Sequence, residues 1–332
     1  MTQNKKLLLV IDSSALIYRA YHAVPSWTSR DGEQINAVYG FLMTFFRIIR
    51  ELHPNFVVAA FDFPAPTFRH IKFKKYKAQR PKTPQELIAQ FPKVKKILKS
   101  FEVPIFEEKG FEADDIIGTI SKLAQKKEYG NEIETIIATG DMDALQLVNP
   151  NTKVYSLNGG FRNSMIYDEK EVMKRYEGLL PEQLLDFKAL MGDPSDNIPG
   201  VAGVGKKTAC MLINKFGSLD SVYKEIKANA QDSKESESKN RDKSIKEIGV
   251  SERIKNKLLD DIDSAFLSKE LARIKCDMGI EIDFEKSKWK EYNKQEAENI
   301  LRDWGLYSLI RKLPNIQEER EEKKEKIELR LF

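Results

Sequence analysis

Three short stretches of the chain are rich in apolar residues and end on an aspartate: Leu7 to Asp12 (LLLVID), Phe56 to Asp62 (FVVAAFD) and Glu134 to Asp141 (ETIIATGD). Their length suits strands, and their near-continuous apolar character suits strands covered on both faces. Between them the period changes. Ala37, Phe41, Phe45, Ile48 and Ile49 recur at helical spacing, and so do Ile116, Ile117, Ile120, Leu123 and Ala124. Buried strands alternating with amphipathic helices predict an α/β fold with a mostly parallel central sheet flanked by helices. The sheet is expected within residues 1–180. ERIKNKLLDDI, SAFLSKELARI and AENILRDWGLYSLIRKL continue in helical period, so 181–313 is expected to be a helical region. From about Ala228 to Ser244 the chain is polar and low in complexity, which reads as a flexible surface insertion. A charged tail occupies 314–332.

Composition excludes classes more than it selects one. No stretch reaches the length of a membrane span, and the N-terminal apolar run is too short for a signal peptide. Cys210 and Cys276 are far apart and show no pairing pattern, which fits a reducing cytoplasm. Lys and Arg total 55 against 51 Asp and Glu, so the balance is nearly even and only the distribution of charge is informative.

The acids are concentrated. Asp12, Asp62 and Asp141 follow three different strands, and in a parallel sheet functional groups gather outside the carboxyl ends of the strands. Others arrive in groups: Glu112, Asp114 and Asp115 (EADD), Asp141 and Asp143 (GDMD), Asp193 and Asp196 (GDPSD). Any one of them reads as a helix cap or turn former. Nine together, beside only three histidines in the chain, read as a site for hard divalent cations, Mg²⁺ or Mn²⁺. Paired ions on such a rim are a means of cutting phosphodiesters.

Two further segments suggest nucleic acid. PTFRHIKFKKYKAQRPK carries Arg69, Lys72, Lys74, Lys75, Lys77, Arg80 and Lys82 among Phe68, Phe73 and Tyr76, and Lys93, Lys95, Lys96 and Lys99 follow on a helix over Pro84 to Lys99. Cations meet phosphates while aromatic rings stack bases; the bland reading is a solvated basic surface. IPGVAGVGKKTACMLINKFGS places Gly200, Gly203 and Gly205 in a compact turn before Lys206 and Lys207 at a helix start. That spacing is not a Walker A loop. It reads as a cradle for the duplex backbone, or else as a turn that only packs two helices.

LLVIDSSALIYRAYHA, AVYGF, FDFPAPTFRH, YKAQRPKTP, GFEADDIIGT, TGDMDALQLV and MGDPSDNIPGVAGVGKKTA occur in order over about residues 5 to 313. By these motifs the chain resembles the bacterial 5′ nuclease domain found at the N-terminus of DNA polymerase I, in the flap-endonuclease superfamily. The resemblance implies a PIN-like sheet, a helical arch at about 66–100, and a helix–turn–helix hairpin at 198–208 that grips duplex DNA, with K⁺ bound there. It implies that all nine acids form the metal site for two or more ions; mechanistically, Asp12, Asp62, Glu112, Asp114 and Asp115 are expected to hold the ion nearer the nucleophile and Asp141, Asp143, Asp193 and Asp196 the second. It gives Lys77 and Arg80 the role of steering the scissile phosphate, and places Tyr18, Arg19, Arg69 and Tyr76 with the hairpin glycines and lysines as DNA contacts. The activity implied is 5′-3′ exonuclease and 5′-flap endonuclease, by a monomer, in replication and repair.

The alternatives at this point are a DNA-binding scaffold that no longer cuts and a PIN-type RNase. An Asp-nucleophile phosphatase would need D-x-D after the first strand and a proofreading exonuclease D-x-E, but Ser13 and Ser14 follow Asp12. With no polymerase sequence present, the chain is expected to be a free-standing nuclease or a fragment. Its last residues, Glu328 to Phe332, resemble a peptide that docks on the sliding clamp through Leu329, Leu331 and Phe332.

Overall fold

The computed structural model describes residues 5–126, 133–157, 164–235 and 251–316. Six strands form one sheet: β1 (Lys6–Asp12), β2 (Phe56–Ala60), β3 (Ile105–Phe106), β4 (Ile133–Thr139), β5 (Thr152–Ser156) and β6 (Met165–Tyr167). Their order is β3-β2-β1-β4-β5-β6, parallel throughout except for antiparallel β6. The chain winds outward from β1 to β3, then returns to place β4 against the other side of β1. The direction of winding therefore reverses between β1 and β4, where a doubly wound sheet opens its ligand crevice. Asp12 ends β1, and Asp141 follows β4 by two residues.

The helices are α1 (Ser13–Ala23), α2 (Asn36–Leu52), α3 (Phe68–Lys72), α4 (Gln85–Ile88), α5 (Gln90–Ser100), α6 (Ala113–Leu123), α7 (Glu169–Arg175), α8 (Leu184–Met191), α9 (Lys206–Phe216), α10 (Leu219–Glu235), α11 (Glu252–Asp260), α12 (Ile262–Ala272), α13 (Lys294–Asp303) and α14 (Tyr307–Ile310). On one face of the sheet, α2 buries the stripe Phe41, Phe45, Ile48 and Ile49 against α5, Phe101 and Trp289. On the other face, α6 buries Ile116, Ile117 and Ile120, and that core runs unbroken into Leu190, Ile213 and Val222 of the helical region. Through this shared core α8 and α9 are fixed relative to the strand ends.

Residues 66–100 form no free-standing arch. Helix α5 is anchored by Val94, Ile97 and Leu98, and Lys93 and Lys95 pair with Glu33 and Glu107. Buried Gln90 accepts from Ala37 N (2.8 Å) and Val38 N (3.2 Å), so α5 caps α2, which has no cap of its own. The stretch from Phe73 to Thr83 lies on the 193–197 turn: Lys77 N donates to Asp196 O (2.9 Å), Asn197 Nδ2 to Lys75 O (2.7 Å) and Gln79 Nε2 to Pro194 O (2.7 Å). Helix α10 runs to Glu235, into the stretch read as a flexible insertion; 236–250 and the clamp-like tail lie outside the described residues.

The hairpin glycines do different work. Gly192 (φ 74°) and Gly200 (φ 62°) face each other across a turn closed by Asp193 N to Ile198 O (2.9 Å) and Ile198 N to Asp193 O (2.8 Å). A Cβ on Gly200 would stand 2.4 Å from Gly192 N, whereas one on Gly203 would meet nothing within 4 Å. Gly200 therefore serves backbone packing rather than phosphate approach. Gly200→Ala is expected to destabilise by more than the roughly 1–3 kcal/mol of strain alone and Gly203→Ala by no more than that strain. Equal midpoints for the two in urea unfolding would refute this.

Candidate metal centre and nucleic-acid interface

Seven of the nine acids place their carboxylates on the rim above β1 and β4. Asp12 is buried: Oδ1 accepts from Ala15 N (3.0 Å), capping α1, and Oδ2 from Thr139 Oγ1 (2.6 Å). Asp62 accepts from Ala113 N (2.8 Å) at the start of α6. Asp141 accepts from Asp143 N (2.9 Å), which fixes the GDMD turn. Half-buried Asp114 has no hydrogen-bond or ion-pair partner among the described residues. Asp143, Asp193 and Asp196 bring one oxygen each within 4.8 Å of one another. The helix-cap reading of Asp12 and the metal reading are thus compatible, since each of its oxygens accepts a single hydrogen bond and keeps a lone pair for an ion.

Crowding shows in the titration of the rim. Burial, reinforced by Asp62 and Asp141, raises Asp12 to about 7. Burial, with Asp141 and Asp12 nearby, holds Asp114 well above the carboxylate range. Burial also raises Asp143 to about 6, although Lys188 donates to it. Asp193 shares that lysine yet falls to about 2, because its burial is outweighed by Lys188 at 2.7 Å and by Ser195 N and Oγ. The asymmetry is physical: Asp143 faces the like charge of Asp141, while Asp193 gains Ser195 N and Oγ beside Lys188. Such an all-oxygen set, short of positive charge, fits a hard divalent ion.

Glu112 and Asp115 stand apart from the other seven. Glu112 accepts from Lys77 Nζ (2.8 Å), Tyr76 Oη (3.1 Å) and Thr67 Oγ1 (3.2 Å); burial would raise its pKa, but Lys77 and Arg69 outweigh it and lower it. Asp115 is wholly buried, held by Arg69 Nη1 (2.7 Å), Arg69 Nη2 (2.8 Å), Lys275 N (2.8 Å) and Glu112 N (3.1 Å). With two donors on each oxygen, Asp115 is a support for the α6 start rather than a ligand. Arg69 and Tyr76 are 3% exposed, so the expectation that they touch DNA is corrected: both are interior parts of the acid scaffold. Arg80, by contrast, is half-exposed and pairs with Asp196, beside Lys77 at 3.6 Å.

Tyr18 keeps an exposed ring at the mouth, bonded to Thr83 Oγ1 (2.5 Å). Arg19 is half-buried, its pKa lowered by burial and by Arg47. Lys206 and Lys207 are exposed at the start of α9. Sequence reasoning missed Lys188, which bridges Asp143 and Asp193; the available signal was a lone lysine inside the apolar run LLDFKALM. It also missed Ser264, Ser268 and Asp261, which hold Gly200 O (2.8 Å), Gly200 N (2.9 Å) and Ala202 N (2.8 Å) of the hairpin.

Residues 7–177 match the family described as 5′-3′ exonuclease, N-terminal resolvase-like domain, and 179–295 match its C-terminal SAM fold. The chain belongs to the 5′-3′ exonuclease family. DNA polymerase I of Bacillus subtilis is 37% identical over 313 residues, covering 94% of this chain and 33% of that protein. DNA polymerase I of Bacillus caldotenax is 36% identical over 318 residues, covering 95% and 33%. The chain thus spans about a third of the length of these relatives. Among solved structures, the T5 D15 protein co-crystallised with metal ions is 20% identical with a TM-score of 0.59, covering 80% of this chain and 89% of that one. The catalytic core of Rad2 in complex with DNA substrate is 17% identical with a TM-score of 0.58, covering 93% and 94%. These two likenesses show the fold. No helix among the described residues is long and apolar enough to cross a membrane.

Proposed function

We propose that the chain is a divalent-metal-dependent 5′ nuclease that cuts DNA at 5′ flaps and ends. One observation carries this reading: an acid rim at the switch point of the sheet lies beside exposed or releasable cations and is continuous with the hairpin through the 192–200 turn. Asp12, Asp114 and Asp141 would hold one ion, and Asp143, Asp193 and Asp196 a second. That division moves Asp141 to the first group, because it crowds Asp12 and Asp114. Asp62 borders the first group, and Glu112 and Asp115 orient it. Ions held by these two groups of acids would supply an acidified water for attack on phosphorus and stabilisation of the departing 3′ oxygen. Lys77 and Arg80, now facing Glu112 and Asp196, would transfer their charge to the scissile phosphate and neutralise it as it develops. Tyr18 offers a ring to an unpaired base, and Lys206 and Lys207 meet the duplex backbone.

The test is cleavage of matched 5′-flap, 3′-flap and single-stranded RNA substrates in Mg²⁺, Mn²⁺ and EDTA. Short products from the 5′ flap alone, absent in EDTA, are the expected result; selective cleavage of RNA would favour a PIN-type RNase, and tight flap binding without cleavage a scaffold. K⁺ at the hairpin belongs to the same proposal and is checked by comparing duplex affinity in K⁺ and Na⁺. The clamp contact is checked by deleting Leu329 to Phe332, which should abolish binding to a sliding clamp.

Ion binding should also depend on pH in a defined sense. Asp12 and Asp143 have folded pKa values raised to about 7 and about 6 from 3.8, so between these limits the folded ion-free state holds protons that the unfolded chain releases. Their contribution to stability therefore falls as pH rises through that window. An ion replaces those protons and relieves the loss. The increase in Tm from saturating Mg²⁺ is expected to be larger at pH 8 than at pH 5.5; an increase that is flat or shrinks with pH contradicts the crowded rim.

A further inference from the structure

A cavity of about 210 Å³ is lined by Asp143 of the acid triad together with Lys188, Arg175, Tyr176 and Lys206. Tyr176 follows α7 and packs edge-on against Phe187 of α8, ring centroids 5.5 Å apart. Two cations share its ring: Arg175 Cζ at 5.8 Å from the centroid and Lys206 Nζ at 5.6 Å. Lys206 Nζ also donates to Arg175 O (3.4 Å), which ties the start of α9 to the end of α7. Neither cation has a carboxylate within ion-pairing distance among the described residues. Lys188, in contrast, is already matched by Asp143 and Asp193. Two unneutralised cations against one aromatic ring leave positive charge at the cavity that an entering anion would match.

We infer that Arg175, Tyr176 and Lys206 form a seat for one backbone phosphate of bound DNA, on the duplex side of the cut. This rests on the reading of the protein as a 5′ nuclease. The seat lies between the hairpin helix and the Asp143–Asp193–Asp196 group, on the path of a strand that reaches the acids from the duplex. Arg175 presents a fork to a phosphodiester and Lys206 a point charge, and both line the cavity against the Tyr176 ring. The seat sets how far the duplex advances, and so which bond meets the acids.

The experiment is a methylphosphonate scan: 5′-flap substrates each carrying one neutral linkage, with affinity measured in Ca²⁺ and cleavage position in Mg²⁺. The unaltered protein is expected to lose affinity several-fold at one duplex-side linkage. Arg175→Ala should lose a similar factor on the unmodified substrate, become indifferent to that linkage, and show a salt slope smaller by about one contact. Arg175→Lys should recover part of the affinity, and Tyr176→Leu should scatter the cut sites. Arg175 is exposed, so an unchanged Tm will show that the fold is intact. If Arg175→Ala responds to every linkage as the unaltered protein does, the seat is refuted while the nuclease reading stands. If the unaltered protein does not cut flaps at all, both fall.

Discussion

Asp141→Ala is expected to reduce 5′-flap cleavage by more than about 100-fold, because losing even a group that merely supports a metal ligand costs 10–100-fold. Asp141 lies at the junction of the rim: it adds to the crowding of Asp12, Asp114 and Asp143, and its Oδ1 accepts from Asp143 N. Removing it takes away an oxygen for the first ion and loosens the turn that presents Asp143 to the second. Binding of the flap in Ca²⁺ should change only a few-fold, since Asp141 faces the acids rather than the hairpin. Tm without ions should hold or rise, because one of several like charges has gone. Asp141→Asn separates the two effects: it can keep the turn bond yet lacks the charge, so it should be nearly as inactive as alanine. Turnover at the original rate in either variant would remove Asp141 from the metal site.

The second large effect is on folding. Arg69→Ala should destabilise by about 3–5 kcal/mol, the usual cost of leaving one member of a buried pair without its partner. Arg69 and Asp115 are almost wholly buried, and the guanidinium also donates to Leu271 O (2.9 Å) and Arg273 O (2.7 Å) at the end of α12. This cluster joins the α6 start, the α3 segment and the last helices of the hairpin region. Its loss would leave the buried Asp115 carboxylate without its countercharge and two carbonyls without these donors. Urea unfolding provides the measurement. The double variant Arg69→Met, Asp115→Leu should be closer to the original stability than Arg69→Ala, since a well-packed apolar pair can replace a buried ionic one. A loss below about 1 kcal/mol for Arg69→Ala, typical of a surface pair, would show that the cluster is not buried in solution.

Asp115 and Arg69 also mark where sequence reading ends. The three aspartates after strands could be placed because a parallel sheet sends strand ends to one rim, and the apolar runs made the strands plain. Neighbouring acids such as Asp114 and Asp115 look equivalent in sequence. One helical step of roughly 100° separates them, turning Asp114 to the rim and Asp115 into the interior, and only a known helix phase distinguishes the two. The basic segment was less legible for a related reason: composition shows that cations are present but not whether carboxylates already face them. Lys77 and Arg80 meet Glu112 and Asp196 from 35 and 116 residues away, and Arg69 meets Asp115 across 46. The glycine hairpin was recognisable, but the pressure of Gly200 against Gly192 and the grip of Ser264 and Ser268 arise only when α12 packs beneath it.

The central claim is that the rim holds divalent ions in two groups and that those ions perform the cleavage. Anomalous diffraction from Mn²⁺-soaked crystals tests it most directly, with flap cleavage measured on the same preparation. The account predicts one peak against Asp12, Asp114 and Asp141, a second against Asp143, Asp193 and Asp196 with Lys188 displaced from between them, and none at Asp115. Cleavage by a protein whose rim shows no anomalous peak, or ions found only elsewhere, would contradict it.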